Sequence, residues 1–243
     1  MLLVSGGLDS TVLAHCFKEA GLEFSLFYGD SPIRPYKFKL KVEKLAFDLK
    51  TPLKVDNTNE LSVKEFLVNP VKRCYYCKRS LLINAKKVSE TRGCNALVDG
   101  TNKDDLKDYR PGLQALKEFD VRSPLLEYGC GKNEIILLKD ELGIKVNVEA
   151  TTCLATRFID RNKVVDPTLF KYLEETESLL ASWGFKNVRL RVFKGKLLVQ
   201  VEPSQVNVLS QITKLIKYPM GYTLEIDPHG YRSAGLMLTE KEL

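Results

Sequence analysis

Two sets of residues in this chain have types and spacing that could do chemistry. The first is Ser5-Gly6-Gly7-Leu8-Asp9-Ser10-Thr11, a short polar loop between an apolar run and an amphipathic stretch. A loop that ends a strand and opens a helix presents free backbone N–H groups and the positive helix end, which attract phosphate. Its glycines let the backbone approach the oxygens closely. It lacks the Gly-Lys-Ser/Thr ending of the Walker loop, so it is not the fingerprint of a γ-phosphate NTPase. The second set is Cys74-Tyr75-Tyr76-Cys77, flanked by Arg73, Lys78 and Arg79, whose charges favour thiolates. Together with Cys153 the pair admits three readings: a redox dithiol, half of a zinc site, or a three-cysteine iron–sulfur cluster. The zinc reading lacks a second Cys-x-x-Cys or a nearby His pair.

Charged residues add candidate anion contacts. Asp99-Gly100-Thr101-Asn102, at the end of an apolar run, would place a carboxylate and polar donors in a nucleotide crevice, the alternative being a polar helix entry. Asp104 and Asp105 follow as metal or substrate contacts. Arg110 stands before Pro111-Gly112 in a rigid turn, where a guanidinium could clamp phosphate or carboxylate or simply lie at the surface. Val188-Arg189-Leu190-Arg191 alternates, so both arginines share one strand face, and two neighbouring guanidiniums repel unless an anion joins them. Asp30, Arg157, Glu177 and Arg232 are further pocket candidates. Glu177 has the alternative of belonging to the exposed face of its helix.

The elements that must hold these residues follow from periodicity. Residues 1–4 read as a buried strand, 9–19 as a helix, 24–28 as a strand, and 36–49 as a basic amphipathic helix. Residues 52–55 form a third strand, 78–91 a helix and 96–99 a further strand ending at Gly100. This alternation predicts an α/β fold with a doubly wound parallel sheet, whose ligand crevice lies beyond the carboxyl ends of the strands. Residues 167–183 then read as a long helix, 188–193 and 196–201 as a hairpin around Lys194-Gly195, 204–215 as a helix and 222–226 as a strand. That pattern predicts a smaller C-terminal α+β domain. The expected domains are 1–159 and 160–243. The first strand starts almost at Met1, which leaves a truncated or mis-assigned start open.

With 243 residues, 44% of them hydrophobic, the chain can bury a real core. The formal net charge of +6, from 37 basic and 31 acidic residues, suits anionic small molecules. It lacks the dense basic blocks of nucleic-acid binders. No apolar run nears the roughly 20 residues of a membrane span, and no signal-peptide pattern opens the chain, so a cytoplasmic protein is expected. In that compartment Cys16, Cys74, Cys77, Cys94, Cys130 and Cys153 stay reduced. Cys16 lies on an apolar helix face and reads as core packing.

SGGLDST resembles the SGGxDS signature of PP-loop ATP pyrophosphatases, which split ATP to AMP and pyrophosphate. The resemblance implies that Ser5, Gly6, Gly7, Asp9 and Ser10 hold the pyrophosphate and its Mg2+, with Asp9 as a metal contact and Asp99, Gly100 and Thr101 lining the nucleotide site. Further motifs narrow the match: Asn69-Pro70, Arg73-Cys74-Tyr75-Tyr76-Cys77-Lys78, the run from Asp99 to Asp105, Asp108-Tyr109-Arg110-Pro111-Gly112, Cys153-Leu154-Ala155-Thr156-Arg157-Phe158 and Gly230-Tyr231-Arg232-Ser233. In this order they resemble LarE-type pyridinium-biscarboxylate mononucleotide sulfur transferases across nearly the whole chain. Those enzymes adenylylate a carboxylate of a nicotinate-derived mononucleotide and convert it to a thiocarboxylate during synthesis of the nickel-pincer nucleotide cofactor.

The resemblance implies that Arg189 and Arg191 hold the substrate phosphate and that Lys78 neutralises charge at the reacting centre. It also implies either that Cys153 gives up its own sulfur or that Cys74, Cys77 and Cys153 hold a 4Fe-4S cluster with one iron open to sulfide. The second is the favoured expectation, with a sulfide or persulfide donor reloading the cluster. Cys130 is a lesser candidate for the chemistry. A homo-oligomer assembled through the C-terminal sheet is expected. The rivals are a tRNA thiolase, for which no basic stripe with interleaved aromatics is present, and a nucleotide sensor that binds ATP without forming AMP. Amidation of the kind NAD synthetase performs would leave the three cysteines without a role.

Overall fold

The structure is a computed structural model that describes residues 1–107, 109–146 and 152–231. The chain forms two compact units, Met1–Phe66 with Pro70–Thr151, and Leu67–Asn69 with Thr152–Leu243.

In the first unit the strands β1 (Leu2–Leu3), β2 (Leu26–Asp30) and β3 (Leu53–Asn57) alternate with helices α1 (Leu8–Glu19) and α2 (Tyr36–Leu49). The short α3 (Lys64–Leu67), whose last residue belongs to the second unit, leads to the long α4 (Arg73–Thr91), and α5 (Gly112–Glu118), α6 (Pro124–Glu127) and α7 (Lys132–Glu141) complete the unit. The strands are parallel in the order β1-β2-β3, with Leu2 beside Leu26 and Leu26 beside Leu53. On the free side of β1, Val98 bridges Leu2, and Arg122 bridges Val98, both in parallel. The sheet therefore winds one way from β1 to β3 and the other way from β1 to residues 98 and 122. The reversal point lies between β1 and Val98, where open α/β sheets bind ligands.

Alternation along β1 and β2 explains the two-sided core. Leu2, Val4, Leu26 and Tyr28 pack with Val12 of α1, Val42 of α2 and Ile135 of α7. Met1, Leu3 and Phe27 pack with Leu82 and Ala85 of α4 and Ala115 of α5. Helices on both faces make the sheet doubly wound, as periodicity implied. Cys16 and Cys130 border the first cluster and Cys94 the second, and burial together with the nearby Cys130 pushes the Cys16 thiol up. These three cysteines are packing groups.

Two expectations change. Helix α4 begins at Arg73, five residues before the expected 78, so Cys74 and Cys77 lie on the helix. The segment 96–99 is reduced to bridges at Val98: Leu3 donates to Val98 O at 2.8 Å and Val98 to Met1 O at 2.9 Å, while on the other side Arg122 donates to Leu97 O and Asp99 to Arg122 O, both at 2.9 Å. The turn that follows leaves the strand at once so that Asp99 and Thr101 can bond each other.

In the second unit α8 (Leu169–Ser182) packs on a mixed sheet of β4 (Arg189–Phe193), β5 (Lys196–Gln200) and β6 (Thr223–Ile226), with α9 (Val206–Ile212) between the last two strands in the chain. Strands β4 and β5 are antiparallel, β5 and β6 parallel. The hairpin turns at Lys194 and Gly195, both with positive φ, as the sequence implied. Leu67–Asn69 joins this unit through Asn69, which is fully buried. Its amide donates to Phe158 O at 3.1 Å and to Asp160 O.

Candidate functional site

Ser5 leaves β1 directly, and Gly6 turns the chain with φ of +74°. A Cβ at Gly6 would stand 2.8 Å from Phe38 O of α2, so only glycine fits there. Gly7 caps α1 in extended backbone, and its carbonyl accepts from Thr11 Oγ1 at 2.8 Å and Thr11 N at 3.2 Å. The hydroxyls of Ser5 and Ser10 lie 3.3 Å apart. The first-turn N–H groups of α1 have no partner within the helix, which leaves them for an anion.

The turn after Val98 closes on this loop. A Cβ at Gly100 would lie 2.9 Å from Ser10 N, so backbone packs on backbone. Asn102 is fully buried and donates from Nδ2 to Asp9 Oδ2 at 3.0 Å, while Lys132, opening α7, reaches the same oxygen at 2.6 Å. Asp9 Oδ1 is buried and has no hydrogen-bond partner among the described residues. Asp99 is buried: its Oδ1 accepts from Thr101 N at 3.1 Å and Ser123 Oγ at 2.8 Å, and its Oδ2 from Thr101 Oγ1 at 2.9 Å. Lys78 Nζ of α4 stands 3.4 Å from the same Oδ2. The structure thus gathers Ser5, Gly6, Gly7, Asp9, Ser10, Asp99, Gly100, Thr101 and Lys78 at the sheet's reversal point.

Asp105 is buried within the same turn: Oδ2 accepts from Asn102 N at 3.1 Å and Oδ1 pairs with Arg110 at 3.0 Å. Asn102 and Asp105 cap the short helical turn Lys103–Leu106. The motif is thus a helix entry that packs against the loop at Ser10. Asp30, ending β2, pairs with Lys39 at 2.7 Å.

Cys74 and Cys77 stand one turn apart on α4, Cys74 exposed and Cys77 half-buried. Cys77 Sγ lies 3.9 Å from Oε1 of Glu60, a fully buried carboxylate that pairs with Arg34 at 2.6 Å and accepts from Thr58 Oγ1 at 2.9 Å. Burial opposes the charge of Arg34, but Cys77 and Glu60 outweigh it and hold the guanidinium above its ordinary value.

In the second unit, Cys153 caps the short turn Leu154–Arg157. Arg157, 1% exposed, grips Glu177 with Nε and Nη2, both at 2.8 Å, and donates from Nη1 to Thr152 Oγ1 at 2.7 Å and Thr156 Oγ1 at 2.9 Å. The residues that flank Cys153 are thereby fixed by one guanidinium. Glu177 also accepts from Leu190 N at 2.8 Å, so its helix turns it inward, away from the exposed-face alternative. Arg189 lies 5.4 Å from the Tyr231 ring. Arg191 is 4% exposed, in place of the open sheet face that alternation allowed. Its guanidinium donates to Thr156 O at 3.0 Å and Gln200 Oε1 at 3.1 Å. Burial, reinforced by Arg157 and Arg189, lowers it to about 10. Arg232 lies outside the described residues, as does Asp108.

Lys132, Ser123, Glu60 and Gln200 hold these groups yet were not singled out from the sequence, because each takes its role from a partner that local spacing does not reveal. Among the described residues no group of three or more His, Cys, Asp or Glu side chains is gathered to hold a metal ion. No helix of the described residues is long and apolar enough to cross a membrane.

Comparison with known proteins places the site in a family. Residues 1–153 match the family described as thiamine biosynthesis protein (ThiI). An uncharacterized protein of Methanocaldococcus jannaschii is 29% identical over 220 residues, 89% of this chain and 83% of its own length. The pyridinium-3,5-bisthiocarboxylic acid mononucleotide synthase of Lactiplantibacillus plantarum is 29% identical over 205 residues, 83% of this chain and 74% of that protein. A probable tRNA sulfurtransferase of Thermoanaerobacter pseudethanolicus is 23% identical over 190 residues, 73% of this chain and 50% of that protein. With a phosphate loop at the reversal point of its sheet and a family match across that whole unit, the chain belongs to the ThiI family of PP-loop proteins.

Proposed function

We propose that this chain is a cytoplasmic, ATP-dependent sulfur transferase that adenylylates a carboxylate of a nicotinate-derived mononucleotide, releases pyrophosphate and replaces AMP with sulfur. The observation that carries it is the Asp9 carboxylate, with one oxygen held by Asn102 and Lys132 and the other buried and open beside the phosphate loop. A buried carboxylate oxygen without a donor suits a divalent cation, so Asp9 would hold Mg2+ and the ion would neutralise the phosphates.

The loop N–H groups and the Ser5 and Ser10 hydroxyls bind the pyrophosphate end of ATP and leave the α-phosphate to the substrate. A substrate carboxylate oxygen attacks the α-phosphorus and the bond to pyrophosphate breaks. Sulfur then attacks the acyl carbon and AMP leaves. Lys78, held by Asp99, offsets the negative charge at the reacting centre. Arg189 and Arg191 bind the mononucleotide phosphate, so binding energy remote from the carboxylate positions it. Asp30, Asp105, Arg110, Arg157, Glu177 and Arg232 complete the substrate's surroundings, the buried ones by holding its contacts in place.

For the sulfur, the reading is a cluster, supported by the pair alone: Cys74 and Cys77 lie at i and i+3 on α4, a spacing that puts both thiols on one helix face. With Cys153 they would hold 4Fe-4S, which when bound supplies an iron open to sulfide. A sulfide or persulfide donor and self-association of the chain belong to the same reading.

The test is AMP formation from ATP with pyridinium-3,5-biscarboxylic acid mononucleotide, with tRNA, and with neither. Dependence on the mononucleotide supports the reading. Dependence on tRNA replaces it with the activity named in the tRNA sulfurtransferase relatives, and ATP binding without AMP in any condition leaves a sensor.

A further inference from the structure

Arg191 is buried with two of its donors bonded, Nε and Nη1. Among the described residues nothing accepts from its Nη2. The guanidinium is therefore held at two of its three nitrogens, and Nη2 is the one left over. What holds it is a relay. Gln200 of β5, fully buried, accepts from Arg191 Nε through Oε1 and donates from Nε2 to Asp227 Oδ2 at 2.8 Å. Asp227, also buried, follows β6, and its Oδ1 accepts from His229 N at 2.9 Å. Arg189 of β4 lies opposite Gln200 in the hairpin register, so the amide stands on the same sheet face as both arginines.

The bonding leaves the amide one orientation. A guanidinium only donates and a carboxylate only accepts, so Oε1 must face Arg191 and Nε2 must face Asp227. A turned amide would set N–H against N–H and oxygen against oxygen.

We propose that Gln200 and Asp227 are positioning residues for substrate binding: together they fix the plane of the Arg191 guanidinium so that its Nη2 meets the substrate's anionic group. The inference rests on the reading of Arg191 as an anion contact and adds two residues that no sequence motif marked. Asp227 aims the amide, and the amide aims the arginine.

A reciprocal exchange tests it. Asp227→Asn leaves one oxygen for two donors, Gln200 Nε2 and His229 N, and Gln200→Glu sets one carboxylate against another, so each single change weakens the relay. The double change Q200E/D227N restores it in reverse: a carboxylate at 200 accepts from both Arg191 and the amide at 227. Isothermal titration of nicotinic acid mononucleotide and of ATP into the full chain, with thermal unfolding as a check on folding, reads the effect. Each single change is expected to weaken mononucleotide binding by about tenfold or more, roughly the loss of one charge-assisted hydrogen bond. ATP affinity should stay within about twofold, and the double change should return mononucleotide affinity to within about threefold of wild type. A simple structural loss would not be repaired by the exchange.

Folded single variants that bind like wild type, or a double variant no better than the worse single, would overturn the proposal. If the singles do not fold, the double decides: affinity near wild type supports the relay and a tenfold loss overturns it. Should the wild type bind inorganic phosphate in an Arg191-dependent way but not the mononucleotide, the substrate reading fails by itself, and the same variants titrated with phosphate judge the relay. A wild type that binds neither probe overturns both.

Discussion

Lys132 Nζ and Asp9 Oδ2 meet at 2.6 Å although 123 positions separate them in the chain. The lysine is half exposed, so the pair contributes little to stability, about 0–1 kcal/mol. Its consequence is electrostatic: it occupies one Asp9 oxygen and leaves Oδ1, buried and without a donor among the described residues, as the oxygen we propose for a cation. Asp9→Asn would turn an amide toward that cation or toward Lys132. AMP formation should fall by about a hundredfold or more, with unfolding free energy within about 1 kcal/mol of wild type. A magnesium titration of AMP release checks this. A rate within tenfold of wild type at saturating magnesium would show that Asp9 holds no catalytic ion.

Gly100 touches α1 backbone to backbone. A methyl at this position would lie 2.9 Å from Ser10 N and 3.0 Å from Ser10 Cα, neither of which can swing aside. Gly100→Ala should therefore push the phosphate loop away from the turn at Asp99. Overpacking of this kind destabilises by about 1–3 kcal/mol. Urea unfolding reads the stability and equilibrium titration the ATP affinity, which should fall in step. Unchanged ATP affinity in a destabilised protein would separate the turn from the nucleotide site.

Arg191 carries a charge that its surroundings do not neutralise, which makes anions and pH act on stability. Burial first, then the charges of Arg157 and Arg189, bring it down to about 10. The folded value is below the unfolded one, so from pH 10 to the ordinary guanidinium range the unfolded chain binds more protons, and this group's contribution to stability rises with pH. Below pH 10 the burial penalty is fully present, and only a bound anion relieves it. Inorganic phosphate at neutral pH should therefore raise the melting temperature, by the equivalent of about 2.7 kcal/mol at a hundred times its Kd. Arg191→Met should lose that increment. An equal phosphate response in both proteins would place the anion elsewhere, at the phosphate loop.

What the sequence made legible was local. The apolar spacing of residues 36–49 marks α2 to the residue, because each turn buries one of Phe38, Val42, Leu45 or Leu49. SGGLDST marks the phosphate loop because strand, glycines and helix start are contiguous. Helices α5, α6 and α7 were not read, since the first two span only seven and four residues and α7 buries little but Ile135. The start of α4 was missed because Lys72, at the N-cap, has no capping side chain and the polar run gives no periodic signal. In the site, Lys132 stayed silent for another reason: a lysine gains meaning only from the carboxylate it meets, and Asn102, read as a polar donor, gave no sign of its partner Asp9. Gln200 falls in the polar phase of an alternating strand, where spacing alone does not mark it as buried, and the open face had been the alternative for its partner Arg191.

The cysteines separate two ways of moving sulfur. A cluster on three thiolates needs Cys74, Cys77 and Cys153 together, whereas sacrifice of one sulfur needs Cys153 alone. Cys16, Cys94 and Cys130 border apolar clusters and serve as controls, since their alanine variants should keep any iron. Anaerobic iron and acid-labile sulfide, measured on wild type and on Cys74→Ala, Cys77→Ala and Cys153→Ala, should show about four irons per chain in wild type and loss in each of the three variants. Such a result would tie catalytic sulfur transfer to both the α4 pair and the Thr152–Thr156 turn that Arg157 fixes around Cys153. Iron that survives Cys153→Ala would assign the pair on α4 to another ligand set. No iron in reconstituted wild type would leave Cys153 as a one-use donor, and the intact mass after turnover should then fall by about 34 Da, one hydrogen sulfide.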